Sequence, residues 1–365
     1  MKKIWGVKMA RKLVTFREVR DIQQIERADV IELCLIDGWQ CVTVKDTFKV
    51  GDIGAYFEVD SFLPEKPEFE FLRPSSFRNM GEEKGFRLKT IRLRGALSQG
   101  LLLPLSPLGL TGNEDEETLA DRLGVKLWES PLAAELSGVA RSLFPSFIPK
   151  TDQERVQNLT GKLWGEGRTI TYTDAEGNEI VKNLPAAVKR KYEVSEKADG
   201  SSTTFYDYEG NFGVCSRNLD LLEDENNTFW KMANKYNLKE RLKGTNKALQ
   251  GETVGSNIQG NPYKMKDQEV FIFDIYDIEK QRYLSPEERG VFMAEIVPDM
   301  KSVPILARYF EIPDTLEALL EYVQGKSVLN PLTEREGLVF KEEGESIDRF
   351  SFKGISNKYL LKQKD

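Results

Sequence analysis

The chain of 365 residues contains no histidine. That absence excludes histidine as a general acid or base, as a phosphorylated intermediate and as a metal ligand. Any chemistry must therefore rely on the side chains of lysine, arginine, aspartate and glutamate. Because hard divalent cations prefer carboxylates, water and substrate phosphates as ligands, we expect a catalytic metal to be Mg²⁺ or Mn²⁺ rather than zinc.

Cysteine and long apolar runs are also scarce. Cys34, Cys41 and Cys215 have neither the paired spacing of a metal site nor the density of a disulfide framework, which predicts packing residues in a reducing compartment. No run in the sequence approaches the roughly 18 apolar residues of a membrane span, and the start lacks the apolar core of a secretion signal. We expect a cytoplasmic protein, and the length favours two domains.

Short apolar runs broken by glycine and proline characterise the first 110 residues. Five of them have the length and composition of strands: 30–36, 41–44, 53–59, 88–93 and 100–105. They favour a small β-barrel, specifically of the OB type, a fold that commonly binds nucleic acids. A short helical pattern over 118–127 follows. We place the end of this domain at residue 150.

Residues 151–365 predict an α+β domain in which antiparallel hairpins alternate with three long helices. Capping boxes at Thr151–Glu154 and Ser285–Glu288 each predict a helix start. The long helices are expected over 226–236, 285–296 and 314–324. Hairpins are expected over 168–182, around a Gly177-Asn178 turn, and over 202–217, with further strands at 192–197, 248–254, 269–276, 337–341 and 350–353.

The net charge of -7 argues mildly against a generic nucleic-acid binder, but one stretch is locally basic. It contains the cations Arg73, Arg78, Lys84, Arg87, Lys89, Arg92 and Arg94, the acids Glu82 and Glu83, and the interleaved aromatics Phe71, Phe77 and Phe86. Two interpretations are open. The stretch is either a solvated face or a groove that contacts phosphates and stacks on bases.

The most informative motif is Lys197-Ala-Asp-Gly200, between two strand-like stretches. By itself it is weak, because an exposed Asp-Gly turn would contain the same residues. Four further signatures follow it: Ser216-Arg217-Asn218, Gly251-Glu252, Phe271-Ile-Phe-Asp274, and Glu336-Gly337 followed by Ser351-Phe-Lys353. In this order they resemble the motifs of the covalent nucleotidyltransferases. Residues 151–365 resemble the adenylyltransferase domain shared by ATP-dependent RNA ligases, DNA ligases and, with GTP, mRNA capping enzymes.

The resemblance implies a role in nucleotide transfer for each motif residue. Lys197 would be the nucleophile that forms a phosphoramidate with AMP. The other residues would bind the nucleotide: Glu196 through its backbone at adenine, Asp199 and Gly200 within the motif, Arg217 at a phosphate, Glu252 near the ribose, and Phe273 by stacking on the purine. Plain core packing is the alternative for Phe273.

The resemblance also implies a metal site and a second cation. Asp199 and Glu336 would hold Mg²⁺ or Mn²⁺, although Glu336 could instead be an ordinary surface carboxylate. Lys353 matches the second lysine of a paired-lysine motif whose first position is Ser351 here, so Lys341 or Lys358 is expected to supply the missing cation.

A lysine amine attacks phosphorus only when it is neutral, which requires a pKa well below the usual value of about 10.4. We expect the positive charges of Lys353, Arg217 and a bound metal to lower the pKa of Lys197 in this way.

The order of the domains favours one branch of the superfamily. An OB-like domain ahead of the adenylyltransferase domain resembles the nick-sealing RNA ligases, and residues 149–158 resemble the segment that leads into their ligase domain. This implies an ATP-dependent RNA ligase that joins a 3'-OH RNA end to a 5'-phosphate, at a nick in a duplex. A DNA ligase or a GTP-dependent guanylyltransferase is the alternative within enzymes. A non-catalytic nucleic-acid-binding protein is the alternative of another class.

Overall fold

The computed structural model describes residues 12–26, 28–128, 139–165, 168–173, 179–184, 186–343 and 349–362. The chain divides into two compact units between Ala133 and Ala134. This division precedes the expected boundary at residue 150, because the strand Ala140–Leu143 pairs with a strand of the second unit. Among the described residues, no helix is both long and apolar enough to cross a membrane.

The first unit consists mainly of short antiparallel strands. These are β1 (Val14–Glu18), β2 (Asp21–Gln24), β3 (Ile31–Ile36), β4 (Trp39–Val44), β5 (Ile53–Phe57), β6 (Ser61–Pro64), β7 (Phe77–Met80), β8 (Glu83–Arg87), β9 (Thr90–Leu93), β10 (Ala96–Gln99), β11 (Leu101–Pro104) and β12 (Lys126–Leu127). Its helices are α1 (Arg73–Ser76) and α2 (Glu116–Leu123), with 3-10 turns at Pro67–Leu72 and Ser106–Leu108.

The five strands predicted for this unit are confirmed as β3, β4, β5, β9 and β11, although β9 covers only the last four of the six residues expected at 88–93. The predicted helix over 118–127 is displaced. It begins at Glu116, because the Asp115 side chain accepts a hydrogen bond from the Glu117 N–H. It ends at Gly124, whose φ of 76° breaks the helix before β12.

Side chains of β10 bind backbone groups of β4 in the first unit. The Ser98 hydroxyl accepts a hydrogen bond of 3.1 Å from the Val42 N–H, and the Gln99 side-chain oxygen accepts one of 3.3 Å from the Gln40 N–H. The β9–β10 hairpin is thereby fixed against β4. As predicted, the cysteines are packing residues: Cys34, Cys41 and Cys215 are all buried and unpaired.

The second unit confirms the predicted α+β arrangement. Its strands are β13 (Ala140–Leu143), β14 (Arg168–Thr173), β15 (Glu179–Leu184), β16 (Lys191–Lys197), β17 (Ser201–Tyr208), β18 (Asn211–Cys215), β19 (Leu219–Leu221), β20 (Lys247–Val254), β21 (Glu269–Asp277), β22 (Arg282–Tyr283), β23 (Lys301–Ser302), β24 (Ile305–Glu311), β25 (Gly337–Glu342) and β26 (Ser351–Ile355). Its helices are α3 (Thr160–Trp164), α4 (Thr228–Lys235), α5 (Leu238–Arg241), α6 (Pro286–Ile296), α7 (Leu316–Val323) and α8 (Asn357–Lys362), with 3-10 turns at Val156–Asn158 and Ala187–Lys189.

Two antiparallel sheets organise this unit. The larger has the order β13-β19-β18-β17-β20-β21-β22, with β23 parallel to β21, and the smaller has the order β24-β16-β25-β26. Residues of α4 and α6 pack on the larger sheet around Trp230 and Ile272. Residues of α7 pack on the smaller one around Phe340 and Phe352. The strands β14 and β15 pair as the predicted hairpin, and its Gly177-Asn178 turn lies outside the described residues.

One of the two predicted capping boxes is present. At Ser285–Glu288 both reciprocal hydrogen bonds form, and α6 follows. The capping box predicted at Thr151–Glu154 does not form. The Thr151 hydroxyl is 2.9 Å from that of Ser202, and the Glu154 carboxylate accepts hydrogen bonds from Arg155 and Asn158. The segment stays extended because both side chains have partners elsewhere, and the first regular turn begins at Val156.

Candidate active site

The Lys197 motif occupies the turn that joins the two sheets of the second unit. Strand β16 of the smaller sheet ends at Lys197, and β17 of the larger sheet begins at Ser201. The chain passes tightly over β20 here, since a Cβ added to Gly200 would lie 2.3 Å from the Thr253 carbonyl oxygen. Asp199 and Gly200 are only partly exposed. The motif is therefore not a simple surface turn.

Lys197 lies against Glu336 because of the strand register. Lys197 is opposite Gly337 of β25, which places Glu336 beside it. The Lys197 ammonium donates a hydrogen bond of 2.7 Å to the Glu336 carboxylate, and the two side chains are 26% and 17% exposed. Glu336 is thus a partner of the motif lysine rather than an isolated surface carboxylate.

Three carboxylates determine the protonation of Lys197. Burial lowers the pKa of Lys197, but the negative charges of Glu336, Glu252 and Asp199 outweigh that effect and raise its pKa above the usual value. The expected lowering by neighbouring cations is therefore wrong for the chain by itself. In this state Lys197 is protonated at neutral pH.

The carboxylates in turn repel one another. Burial and the charges of Glu336 and Asp199 raise the pKa of Glu252 to about 7, although Lys197 opposes this effect. Burial and Glu336 also raise the pKa of Asp199. Such a buried excess of carboxylates suits a divalent cation. Within the described residues, however, no three possible ligand side chains are close enough together to hold a metal ion.

Two tyrosines that the sequence did not indicate hold Asp199. The Tyr263 hydroxyl oxygen accepts a hydrogen bond of 2.6 Å from the Asp199 N–H, and the Tyr359 hydroxyl donates to the Asp199 carboxylate. Tyr359 comes from α8, directly after Lys358. No pattern in the sequence pointed to these tyrosines, because both contacts join segments far apart in the chain.

Lys353 lies close enough to Lys197 for the two charges to interact, as predicted. Its backbone N–H donates a hydrogen bond of 2.8 Å to the Glu154 carbonyl. Burial, Lys197 and Arg155 lower the pKa of Lys353 to about 8, against the opposing effects of Asp152 and Glu336. Arg155 is a cation of the site that was not predicted.

Lys341, rather than Lys358, is a buried lysine near the predicted nucleotide site. Its ammonium lies 3.0 Å from the Asp274 carboxylate and 5.2 Å from the centre of the Phe273 ring. Burial lowers the pKa of Lys341 to about 8, although Asp274 opposes the shift. Lys358 is exposed. Ser351, at the expected lysine position, donates its hydroxyl to the Gln153 side chain at 2.6 Å.

Phe273 is compatible with both of its interpretations. It is the one partly exposed residue of β21, where all other positions are buried. Its ring packs against a cluster that contains Ala198, next to Lys197, and Leu329. Stacking on a purine therefore stays a prediction.

Two predicted residues have side-chain partners other than Lys197 and Glu336. The Arg217 side chain is 63% exposed and pairs with Asp152 at 2.7 Å. The Glu196 carboxylate is buried and accepts hydrogen bonds from the Ser327 hydroxyl and the Val328 N–H. Because neighbouring residues of a strand point to opposite faces, this carboxylate supports the loop before Glu336. The predicted backbone contact of Glu196 with adenine is not tested.

For the basic stretch of the first unit, the structure contradicts the interpretation as a groove of stacking aromatics, whereas phosphate contacts by its exposed cations stay a prediction. Arg73 pairs with Glu65 and Glu70, and its guanidinium lies 4.5 Å from the centre of the Phe77 ring. Phe86 is fully buried in the core. Of the three aromatics only Phe71 is largely exposed, so no set of stacking rings faces solvent.

Comparisons with known proteins match both units. A family model described as an OB-fold domain matches residues 13–105, and one described as RNA ligase matches residues 190–357. The comparison with curated proteins returned no match.

Among solved structures, the RNA ligase of Naegleria gruberi with pyrophosphate is 41% identical, with a TM-score of 0.75 over 97% of this chain and 99% of that one. A lysine-to-methionine mutant of it, solved with AMP and manganese, gives 41% identity and a TM-score of 0.76 over the same shares. A lysine-to-alanine mutant, solved with ATP and manganese, gives 40% identity and a TM-score of 0.76 over 96% of this chain and 99% of that one.

Proposed function

Because this chain belongs to the RNA ligase family, we propose that it is an ATP-dependent ligase that works through a lysyl-AMP intermediate at Lys197. The observation that carries the proposal is the position of the Lys197 amine. It is partly exposed, 2.7 Å from Glu336, and its pKa responds to Glu252 and Asp199. The Naegleria relatives support ATP as the nucleotide, since they were solved with ATP or AMP.

The proposed reaction has three phosphoryl transfers. The Lys197 nitrogen attacks the α-phosphorus of ATP, so that an N–P bond forms and pyrophosphate leaves. A 5'-phosphate oxygen of the RNA then attacks the lysyl-AMP phosphorus, and Lys197 is released. Finally the 3'-OH attacks the activated 5'-phosphate and AMP leaves. Positioning and charge neutralisation dominate such reactions, which agrees with a chain that has no histidine.

Asp199 and Glu336 would hold the Mg²⁺ or Mn²⁺ ion. Their fit rests on the crowding of carboxylates in a buried site, which raises the pKa values of Asp199 and Glu252. A divalent cation there would neutralise this charge, stabilise the transferred phosphoryl group and favour the neutral form of Lys197. Lys353 would contact the nucleotide phosphates, with Arg217 at a phosphate on the exposed side.

The proposed substrate is a nick in a duplex with an RNA 3'-OH strand. The OB-fold match supports a nucleic-acid-binding role for the first unit, and the second unit would be the adenylyltransferase domain. RNA repair is the biological role that this substrate implies. Three buried cysteines without disulfides fit a cytoplasmic location.

Label transfer tests the proposal directly. The protein is incubated with α-³²P-ATP or α-³²P-GTP and Mg²⁺ or Mn²⁺, and is then run on a denaturing gel. We expect acid-labile label from ATP, and its loss in Lys197→Ala. A Lys358→Ala variant controls for the loss of an exposed lysine and should be labelled normally. Label from GTP would indicate a guanylyltransferase, and the absence of label from both nucleotides would contradict enzyme function at this site.

The choice of substrate needs a second assay. With adenylylation established, sealing of a nicked duplex is compared for an RNA 3'-OH strand and a DNA 3'-OH strand. We expect sealing of the RNA strand. Equal or better sealing of an all-DNA nick would favour the DNA ligase alternative.

A further inference from the structure

The β9–β10 hairpin of the first unit, with Lys89 directly before it, carries three cations; we call residues 89–99 the basic hairpin. Lys89 and Arg94 are exposed, and neither makes an ion pair with any described residue. This distinguishes them from Arg73 and Arg87, whose charges are paired with carboxylates nearby. The charges of Lys89 and Arg94 therefore remain available to a ligand.

The sequence around the basic hairpin lacks negative charge altogether. From Lys84 to Asn113 there is no aspartate or glutamate, although the chain has 59 acids among its 365 residues. An even distribution would place about five acids in a stretch of this length, and the chain as a whole carries a charge of -7. The basic hairpin is thus a local positive surface on an acidic protein.

Arg94 has a backbone conformation that its side chain does not favour. The hairpin turns at Arg94 and Gly95, with φ angles of 52° and 87°. Two-residue turns with positive φ at both positions strongly prefer Asn-Gly or Asp-Gly, since a longer side chain is strained there. A cation is present at the tip in spite of this cost, which points to a function for its charge.

Apolar side chains are exposed on the same hairpin. Ile91 is 38% and Leu93 37% exposed, and with Lys89 they alternate along one face of β9. The hairpin is held against β4 by the Ser98 and Gln99 side chains. It therefore presents two aliphatic side chains and flanking cations on a fixed support.

We propose that the basic hairpin docks on the duplex RNA substrate, with Lys89 and Arg94 on the phosphate backbone and Ile91 and Leu93 over the sugar edge. Charge complementarity selects a polyanion. The A-form minor groove is wide and shallow, so that exposed side chains of a ribbon can lie against its riboses. This inference rests on the proposed ligase function and adds to it the surface that holds the duplex.

The test measures the affinity of the full-length protein for a fluorescent nicked duplex with an RNA 3'-OH strand, without ATP, over a series of salt concentrations. The charge variant is Lys89→Ser/Arg94→Asn, because asparagine favours the conformation of the turn and removes only the charge. The matched control is Lys45→Ser/Lys49→Ser, which removes two exposed lysines of the same unit outside the basic hairpin. The apolar variant is Ile91→Thr/Leu93→Thr.

The charge variant is expected to bind about tenfold more weakly at low salt. Its slope of log affinity against log salt should fall by about two, since each phosphate contact contributes roughly 0.9. The apolar variant should bind more weakly with the slope of the wild type. The control should retain both the affinity and the slope. The single Arg94→Asn variant should unfold at the same temperature as the wild type or higher, because it relieves backbone strain.

Two results would overturn the inference: wild-type affinity and slope in the charge variant, or equal losses in the charge and control variants. Labelling of Lys197 by ATP, measured on the same preparations without RNA, separates these outcomes from failure of the proposed function. An unlabelled wild type refutes the ligase, whereas labelled variants that bind duplex normally refute only the docking surface.

Discussion

Lys353 is a partly buried cation placed near another cation, and we expect Lys353→Met to stabilise the fold while it impairs nucleotide transfer. Burial, Lys197 and Arg155 lower the pKa of Lys353 from 10.5 to about 8. Since one pKa unit corresponds to about 1.4 kcal/mol, keeping this lysine charged at pH 7 costs up to about 3 kcal/mol. The side chain is partly exposed, so solvent screening reduces the expected gain to about 1–2 kcal/mol.

The advantage of the variant should depend on pH in a defined direction. Below pH 8 Lys353 is protonated in the folded and the unfolded chain, so the whole cost is present. Between about pH 8 and 10.5 the folded protein has released a proton that the unfolded chain still binds, and the wild type regains stability as the pH rises. The difference between the two proteins should shrink across this window. Because the pKa of Lys197 is raised, Lys197 titrates above this pH window.

Urea unfolding at pH 7, 8, 9 and 10 measures the difference. Lys358→Met is the matched control, because Lys358 is exposed and its replacement should change the free energy of unfolding by less than about 0.5 kcal/mol. The reasoning fails if Lys353→Met is less stable than the wild type at pH 7. It also fails if the advantage of the variant is the same at pH 7 and pH 10.

Three further substitutions test the site. Gly200→Ala should lower the free energy of unfolding by about 2–4 kcal/mol, because the new Cβ would lie 2.3 Å from the Thr253 carbonyl oxygen. Gly161→Ala is the control, since a Cβ at Gly161 would have no atom within 4 Å. Equal unfolding midpoints for the two variants would contradict the geometry. Tyr359→Phe removes the hydrogen bond to Asp199 and should raise the Mn²⁺ concentration for half-maximal labelling by about tenfold; Mn²⁺ titration read by water-proton relaxation should shift in parallel, and an unchanged titration would count against a positioning role. Lys341→Met should raise the KM for ATP in labelling more than Lys358→Met does, since only Lys341 lies 5.2 Å from the Phe273 ring centre; equal KM values would separate Lys341 from nucleotide binding.

The sequence was most informative where the chemistry depends on residues within one motif or on strand register. Lys197 and Glu336 are far apart in the chain, but each stands at the end or start of a predicted strand. Pairing of β16 with β25 then brings them together. Burial does not alternate along β16, where residues 192–196 are all buried, so an in-and-out pattern does not describe this strand. Family motifs identified the residues, and the register explains their contact.

The contacts that could not be predicted are those between side chains far apart in the sequence. Arg217 pairs with Asp152 and stays exposed, which no local pattern indicates. The residues Thr151 and Glu154 have the spacing of a capping box, yet Thr151 contacts Ser202 instead. A capping box stabilises a helix by about 1 kcal/mol, so that tertiary contacts of similar strength can override it. Local rules therefore failed where a distant partner offered an equivalent hydrogen bond.

The two lysines of the site are shifted in opposite directions by their surroundings. Carboxylates keep Lys197 protonated and bound to Glu336, whereas Lys197 and Arg155 oppose the charge on Lys353. In the proposed reaction Lys197 would have to lose both its proton and its hydrogen bond to Glu336 before it attacks phosphorus, while Lys353 would gain most from a phosphate nearby. Neutralisation of the Glu336 charge by a bound divalent cation would favour loss of the Lys197 proton, whereas a phosphate beside Lys353 would favour the protonated form of Lys353. Without a bound cation, Lys197 is held in its protonated form against Glu336, so the proposed attack would follow only after that carboxylate is neutralised.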